Sequence, residues 1–254
     1  MLATRVIPCL LLKGAGLVKT IRFKDPKYVG DPINAVKIFN EKEVDELIFL
    51  DITATREQRE PPFAMIEQIA SECFMPVAYG GGVTSVEQAA HIIALGIEKI
   101  VINAAALRTP DLVRRLSDRI GASSTVVGID VKKDLFGRYR VYDHARQKTI
   151  DSGPAEQATR MAAAGAGEIF LNDVMRDGTG AGFDLDLVRD VTSAVDVPVI
   201  VCGGAGALED LRLATTAGAS AVAAGSLFVY MGKHRAVMIN YPSYAVLQEL
   251  FQHG

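Results

Sequence analysis

Two glycine-rich stretches of the chain carry the residues best suited to hold a charged ligand. Residues 77–107 read VAYGGGVTSVEQAAHIIALGIEKIVINAAAL, and residues 199–229 read VIVCGGAGALEDLRLATTAGASAVAAGSLFV. In both, an apolar strand pattern ends in glycines, and a helical pattern and a second apolar strand follow. Gly81 corresponds to Gly203, 122 positions later. This spacing predicts an internal repeat, so that the chain consists of two copies of one half.

The chemistry that suits these glycines is phosphate binding. Backbone N–H groups can approach an anion where no Cβ intervenes, and a following helix N-terminus adds unpaired donors and positive charge. Tight strand-to-helix turns without a ligand are the alternative interpretation. Two copies favour two phosphate sites and a ligand with a phosphate at each end. The candidate binding residues of the two repeats are Gly81, Gly82, Asn103, Gly203, Gly204, Gly225 and Ser226.

Strands and helices that could position these residues alternate along the chain. Mostly apolar runs predict strands at about 5–12, 47–53, 76–80, 99–103, 125–130, 168–172, 198–202 and 220–224. Helical patterns fill the gaps at 31–43, 60–73, 85–95, 110–119, 154–164, 184–194, 207–217 and 236–251. Eight strand–helix units predict an α/β fold, a closed (β/α)8 TIM barrel built from two half-barrels, rather than an open sheet. We expect residues 1–254 to form this single domain.

Two insertions follow strands on the carboxyl face, where the active sites of such barrels lie. Residues 13–30 are predicted to form a long loop. Its basic residues suit a mobile flap over an anionic ligand, with a solvated basic loop as the alternative; they are Lys13, Lys19, Arg22 and Lys24. Residues 133–149 are predicted to form a β-hairpin that turns at Phe136–Gly137.

Composition narrows the possible partners. With 27 basic and 30 acidic residues, the net charge of −3 gives no indication of binding to nucleic acid or to an anionic membrane. No apolar run reaches the length of a membrane span, and the N-terminus lacks the layout of a cleavable signal, so we expect a cytoplasmic protein. Cys9, Cys73 and Cys202 have no metal-ligand spacing, and we expect neither a metal nor a cofactor.

The sequence resembles the cyclase subunit of imidazole glycerol phosphate synthase over nearly its whole length. The resemblance is carried by MLATRVIPCL, DELIFLDITA, GGGVTS, KIVINAAAL, VVGIDVK, RDGTGAGFDLDL, VCGGAG and AAGSLF. It implies that a HisH-type glutaminase docks on the N-terminal face and that ammonia passes through the barrel. It also implies that a bisphosphorylated ribulosyl substrate is cleaved and cyclised on the carboxyl face. The matching RDGTG loop adds Asp177, Gly178 and Thr179 as candidate ligand contacts, although Asp177 could equally cap its loop.

The chain departs from this family at the catalytic pair. The resemblance implies two aspartates at the ends of the first and fifth strands, and the second of these is Asp130. The first falls on position 11, which is Leu. Because leucine can neither hold nor release a proton, we expect cyclase activity to be impaired. Ala104 stands where the family has a hydroxyl residue, and Gly180 stands in place of a lysine.

Four charged residues at the amino ends of strands match the family's ring of alternating charges: Arg5, Glu46, Lys99 and Glu168. Charges on this face of a barrel usually serve stability, so an ion network is the interpretation without the resemblance. With the resemblance, the better interpretation is a gate that admits ammonia. On this interpretation the chain retains the ammonia passage through the barrel, while the catalytic residues on the carboxyl face have changed.

One branch of the family fits a retained conduit with altered chemistry. Segments 19–47 and 232–243 resemble paralogues linked to acetamidino-sugar formation in surface-polysaccharide (lipopolysaccharide) synthesis. There the barrel and its glutaminase supply ammonia to an ATP-dependent sugar amidotransferase. The alternative function is a genuine cyclase subunit of histidine biosynthesis. A sugar-phosphate isomerase on the same half-barrel plan is a third, less favoured possibility.

Overall fold

The computed structural model describes residues 4–252, and its centre is a closed barrel. Its strands are β1 (Arg5–Lys13), β2 (Gly16–Ile21), β3 (Lys24–Gly30), β4 (Leu47–Asp51), β5 (Val77–Gly80), β6 (Lys99–Ile102), β7 (Thr125–Lys133), β8 (Tyr139–Asp143), β9 (Lys148–Thr149), β10 (Glu168–Asp173), β11 (Val199–Cys202), β12 (Ala221–Ala224), β13 (Tyr230–Met231) and β14 (Ala236–Val237). Eight of them, β1, β4, β5, β6, β7, β10, β11 and β12, pair in parallel in that order, and β12 pairs with β1. The predicted (β/α)8 barrel is confirmed.

Helices cover the outside of this barrel. They are α1 (Pro32–Glu41), α2 (Phe63–Glu72), α3 (Val86–Ala94), α4 (Ala104–Arg108), α5 (Asp111–Ile120), α6 (Pro154–Ala163), α7 (Leu185–Thr192), α8 (Leu208–Thr216), α9 (Ser226–Val229) and α10 (Tyr244–Gln252). The short helices α4 and α9 follow the second strand of each glycine repeat and were not predicted. The helix predicted at 236–251 was wrong in its first half, because Ala236–Val237 pairs with Tyr230–Met231 and the helix begins only at Tyr244.

Alternation along each barrel strand divides the core into two clusters. On β1, Val6, Leu10 and Leu12 pack outward against the helices. The intervening Ile7, Cys9 and Leu11 point into the barrel. The interior cluster is apolar throughout and is completed by Val18, Ile48, Ala78, Val101, Val126, Phe170, Ile200, Cys202, Ala221 and Ala223. The middle of the barrel is therefore filled by apolar side chains.

Three β-hairpins extend the barrel on its carboxyl face. Residues 13–30, predicted as a long loop, instead form the antiparallel pair β2–β3, which continues the sheet from β1. Strand β7 pairs with β8 through a turn at Gly137, as predicted. Strands β13 and β14 form the third hairpin. The three hairpins surround the mouth of the barrel.

The loop after β10, which contains Asp177 and Gly178, is hydrogen-bonded to two of these hairpins, β2–β3 and β13–β14. The backbone N–H of Arg22 donates to the carbonyl of Asp177 (2.9 Å), and Arg235 donates to the carbonyl of Gly178 (3.4 Å). The Phe23 ring meets the His144 ring of the β7–β8 insertion edge to face, with centroids 5.4 Å apart. The insertions are thus held together over the mouth. No helix within residues 4–252 is long and apolar enough to cross a membrane.

Candidate functional site

Asp130 lines the carboxyl-face mouth from β7, one residue before that strand begins to pair with β8. Its carboxylate accepts hydrogen bonds from Nδ2 of Asn103 (3.0 Å) and Nδ2 of Asn172 (3.3 Å). Burial raises its pKa to about 7, and the nearby Asp177 and Asp143 add to this effect, while the two amide donors oppose it. A carboxyl group that titrates near neutral pH can both donate and accept a proton, which is what acid–base chemistry requires.

One side of the mouth is built from the second glycine repeat. Gly203 and Gly204 have φ values of +88° and +133°, and a Cβ on Gly204 would lie 2.2 Å from the Gly182 carbonyl. Lys19 reaches this side from β2, and its Nζ donates to the Cys9 carbonyl (3.1 Å). A Cβ at position 225 would lie 1.8 Å from that Nζ, so Gly225 is required for the lysine to lie there. Only glycines permit this close packing.

The other side of the mouth is built from the first repeat. Gly81 and Gly82 have φ values of +119° and +74°. A Cβ on Gly81 would lie 2.5 Å from the Asp51 carbonyl. The Gly82 N–H already donates to Oγ1 of Thr55 (3.4 Å), and the methyl group of Ala104 closes the site from α4. The two sides are therefore related by the repeat but differ in their polar groups.

At the opposite end of the barrel, four charged side chains close the bottom. Arg5 pairs with both Glu46 and Glu168. Lys99 Nζ lies 3.0 Å from a carboxylate oxygen of each of the same two glutamates. The glutamate side chains are 2% and 5% exposed, whereas those of Arg5 and Lys99 are 30% and 18% exposed. The structure thus brings the four predicted gate residues into one ring of alternating charge.

Comparisons with known proteins agree with this architecture. Residues 5–235 match the family described as histidine biosynthesis protein. The chain is 54% identical to a Pseudomonas aeruginosa protein provisionally named imidazole glycerol phosphate synthase subunit hisF2, over 95% of this chain and 97% of that protein. It belongs to the HisF-type family. A Vibrio vulnificus protein, hisF3, is 48% identical over 96% of this chain and 94% of that protein. A Leptospira interrogans protein, HisF, is 46% identical over 99% of this chain and 100% of that protein. Both are also provisionally named as imidazole glycerol phosphate synthase subunits.

The HisF-type barrel of this chain brings nearly all the predicted mouth residues to one pocket. It is lined by Asp130, Lys19, Gly81, Gly82, Asn103, Asp177, Gly178, Gly203, Gly204, Gly225 and Ser226. Thr179 does not line it, because its hydroxyl donates to the Arg176 carbonyl within its own loop (2.7 Å). Asp177 accepts from the Thr20 hydroxyl (2.8 Å), so its carboxylate fastens the β2–β3 hairpin.

Leu11 faces Asp130 from the opposite side of the HisF-type mouth. It lies on β1, pairs with Leu50 on β4 and Val18 on β2, and is 8% exposed. Its surroundings are those of the apolar interior cluster. Asp51, the nearest carboxylate along β4, is occupied by the N–H groups of Thr53 and Ala54 (2.9 and 3.0 Å). Among residues 4–252, the pocket carboxylates other than Asp130 are Asp51 and Asp177, and both are engaged in hydrogen bonds of their own.

Sequence reasoning missed two aromatic pocket residues, Phe23 and His144. His144 reaches from the β7–β8 insertion to the Ile52 carbonyl (3.4 Å) and lines the pocket. Burial lowers its pKa and so favours the neutral ring. Neither residue lies in one of the glycine-rich repeats, and the folding of the hairpins over the mouth brings them there. Arg108 of α4 also lines the rim.

No group of three or more His, Cys, Asp and Glu side chains in the described part of the chain is arranged to bind a metal ion. Cys9 and Cys202 lie in the apolar interior, and Cys73 is partly buried beside α2. These positions agree with packing roles for the three thiols.

The raised pKa of Asp130 predicts a specific dependence of stability on pH. The unfolded chain loses this proton near the ordinary carboxyl pKa, whereas the folded chain retains it until about pH 7. Between those values only the unfolded state is ionised, so stability falls as the pH rises, by at most about 1.4 kcal/mol per pH unit. Asp130→Asn removes this contribution. Urea unfolding across this range should show the variant gaining stability relative to wild type as the pH rises. Parallel pH profiles of the two proteins would contradict the buried, protonated carboxyl group.

Proposed function

We propose that this chain is the barrel subunit of a glutamine amidotransferase that delivers ammonia. It receives ammonia from a HisH-type glutaminase on the N-terminal face and passes it through the barrel. An ATP-dependent sugar amidotransferase then uses it to form an acetamidino sugar for surface-polysaccharide synthesis. The assignment of a sugar as the acceptor of ammonia rests on the resemblance of segments 19–47 and 232–243 to the paralogous branch.

The observation that carries this proposal is the apolar lining from the charge ring to the mouth. Leu11 extends this lining to a position where a carboxylate would otherwise face the passage. A low-dielectric passage favours neutral ammonia over ammonium, whereas an ionised carboxylate would favour ammonium. Leucine at this position therefore suits release of ammonia as a reagent for another enzyme.

Features of the N-terminal face support glutaminase docking there. Arg5 and Lys99 retain partial exposure, so a bound partner can reach the ring that closes the barrel. Phe74, in the turn between α2 and β5, is 89% exposed on this face. Exposed aromatic side chains are enriched in protein interfaces. The ring then acts as the gate through which ammonia enters.

The carboxyl face has a charge that suits an anionic ligand or an acidic partner. Segment 13–30 contains five basic residues and one acidic residue, and segment 133–149 contains five basic and two acidic residues. Segment 230–237 contains two basic residues and no acidic residue. The whole chain has a net charge of −3, so these three hairpin segments are basic while the remainder is strongly acidic. Such asymmetry raises the encounter rate with anions. A phosphorylated ligand in the pocket and an acidic surface of the sugar amidotransferase beside it are both compatible with this charge.

The second candidate is a genuine cyclase subunit of histidine biosynthesis. The hydrogen-bonded Asp130 with a pKa near 7 favours it, because one half of the acid–base pair is still in place. The names of the relatives also refer to imidazole glycerol phosphate synthase. The lack of a proton-transfer group at Leu11 argues against it.

Reconstitution tests the delivery proposal. The chain, a HisH-type glutaminase and an ATP-dependent sugar amidotransferase are combined with glutamine, ATP and the acetamido sugar. We expect acetamidino product from glutamine only when all three proteins are present, whereas the amidotransferase alone uses added ammonium salt. Equal glutamine-dependent product without this chain would contradict the proposal.

A further inference from the structure

We propose that the mouth of this barrel binds a ligand with a single phosphate, an organic phosphate monoester, on the side formed by β11 and β12. The matching site on the side of β5 and β6 no longer holds a second phosphate. This inference rests on the phosphorylated-ligand part of the proposed function and names the class of ligand. It replaces the bisphosphate expected from the repeat.

The side formed by β11 and β12 contains a buried cation with few partners. Lys19 is 6% exposed, and its ammonium group makes a single hydrogen bond, to the Cys9 carbonyl. No carboxylate among residues 4–252 lies within 4.0 Å of Lys19 Nζ. A buried ammonium group with only one hydrogen bond is costly unless an anion completes its shell. A phosphate group would supply both the charge and the acceptors.

Ser226 places a second free group on the same side. Its Oγ is buried and has no hydrogen-bond partner within the described residues. It follows Gly225, the residue that contacts Lys19 Nζ. The N–H of Gly204 likewise makes no backbone hydrogen bond in this part of the chain. An ammonium group with one internal hydrogen bond, and a hydroxyl group and a backbone amide with none, thus line one pocket wall. Together they form the donor set that a phosphate requires.

The other side has lost the equivalent groups. Where Ser226 has its hydroxyl, the corresponding helix α4 begins with the methyl group of Ala104. The N–H of Gly82 is already directed at Thr55. Arg108 is an exposed residue at the rim, where water and salt screen its charge. No buried cation on this side corresponds to Lys19 among residues 4–252. The repeat has therefore become asymmetric in its chemistry.

The space between the two sides suits an uncharged ligand body. Leu11, Leu50, Ile52 and Val101 line this space beside Asp130. The rings of Phe23 and His144 line the same pocket. Apolar groups offer no compensation for the desolvation of a second anion. A phosphate held by Lys19 would leave the organic part of the ligand over this apolar surface.

Calorimetry with two matched sugar phosphates tests the inference. Ribulose 5-phosphate and ribulose 1,5-bisphosphate are titrated into the full chain at about 0.15 M salt, where exposed charges are screened. A second site with hydrogen bonds to a charged group would increase affinity by about tenfold or more. We expect the dissociation constants of the two ligands to differ by less than that. Bisphosphate binding at least tenfold tighter than monophosphate binding would overturn the inference.

Variants locate the phosphate. Lys19→Met and Ser226→Ala should each weaken ribulose 5-phosphate binding, by about tenfold or more for the lysine because its hydrogen bond is to a charged group. The matched control is Lys37→Met on the exposed surface of α1, which should bind like wild type. Thermal unfolding of each variant separates lost binding from lost folding. If Lys19→Met remains folded and binds as tightly as wild type, the assignment of the site is wrong.

The outcomes distinguish this inference from the function on which it rests. Binding of neither sugar phosphate nor inorganic phosphate would contradict the phosphorylated-ligand part of the proposed function, and the inference with it. Tighter binding of the bisphosphate would leave that part intact and overturn only the single-phosphate assignment. Ammonia delivery is measured separately, because its reconstitution needs no sugar phosphate in the pocket.

Discussion

Supplied with ammonium salt and the ribulosyl bisphosphate precursor, the purified chain should form imidazole glycerol phosphate at least ~10²-fold more slowly than a cyclase with two carboxylates. The reason is the contrast across the mouth. Asp130 is held by Asn103 and Asn172, but the opposite position is Leu11 within an apolar cluster. The resemblance implies two proton-transfer groups here, and Leu11 stands in place of one of them. Ala104 likewise stands in place of the hydroxyl residue that the resemblance implies at the first repeat.

Leu11→Asp tests the cause of that loss. We expect partial recovery of the rate, limited by the weakened phosphate site. Precursor loss is followed by absorbance, and Asp130→Asn serves as the blank. The double variant Leu11→Asp/Ala104→Ser should recover more than Leu11→Asp alone. Wild-type turnover equal to that of a two-aspartate cyclase would remove the case for ammonia delivery and support histidine biosynthesis.

Lys99→Met should lower the free energy of unfolding by about 3 kcal/mol, as expected when one partner of a buried ion pair is removed. Lys99 contacts both Glu46 and Glu168, whose side chains are almost fully buried. Without it, two carboxylates share Arg5 alone, and one of them loses its counter-charge. The loss lies at the lower end of the range for buried pairs because Lys99 is 18% exposed.

Urea unfolding measures this change, and the matched control is Lys37→Met. Lys37 lies 3.7 Å from Glu72 on the surface, and both side chains are substantially exposed. Its removal should change stability by less than about 1 kcal/mol. The ring variant should also lower the fraction of glutamine nitrogen that reaches product, because the entrance is no longer closed by the same charges. Equal effects of Lys99→Met and Lys37→Met on stability would show that the ring contributes little.

The barrel could be predicted from sequence because its strands are buried on both faces. Parallel strands covered by helices appear as continuous apolar runs, and all eight runs became barrel strands. The β2–β3 hairpin escaped prediction for a specific reason. Its two-residue turn uses Arg22 and Phe23 at φ values of +53° and +61°, and β2 pairs Ile21 with Lys24 across it. Such turns usually contain Asn-Gly or Asp-Gly, so the sequence lacked the expected signal.

The site residues that the backbone conformation requires could be predicted from the sequence. Those that reach the pocket through tertiary contacts could not. The paired glycines mark positions that a Cβ cannot occupy, and this requirement is visible as a repeat. Thr179 was carried over with its motif, yet its hydroxyl is used within the loop. His144 reaches the pocket only because the hairpins meet at Phe23, a contact that no local pattern encodes.

The most direct test of ammonia delivery is an isotope competition in the three-protein system. Glutamine labelled with 15N in its amide group is supplied together with an excess of unlabelled ammonium salt, and the label in the acetamidino product is measured by mass spectrometry. Delivery through the barrel predicts product labelled mainly from glutamine, and it predicts that Lys99→Met lowers this fraction. Product labelled only in proportion to free ammonium in solution would contradict passage through the barrel.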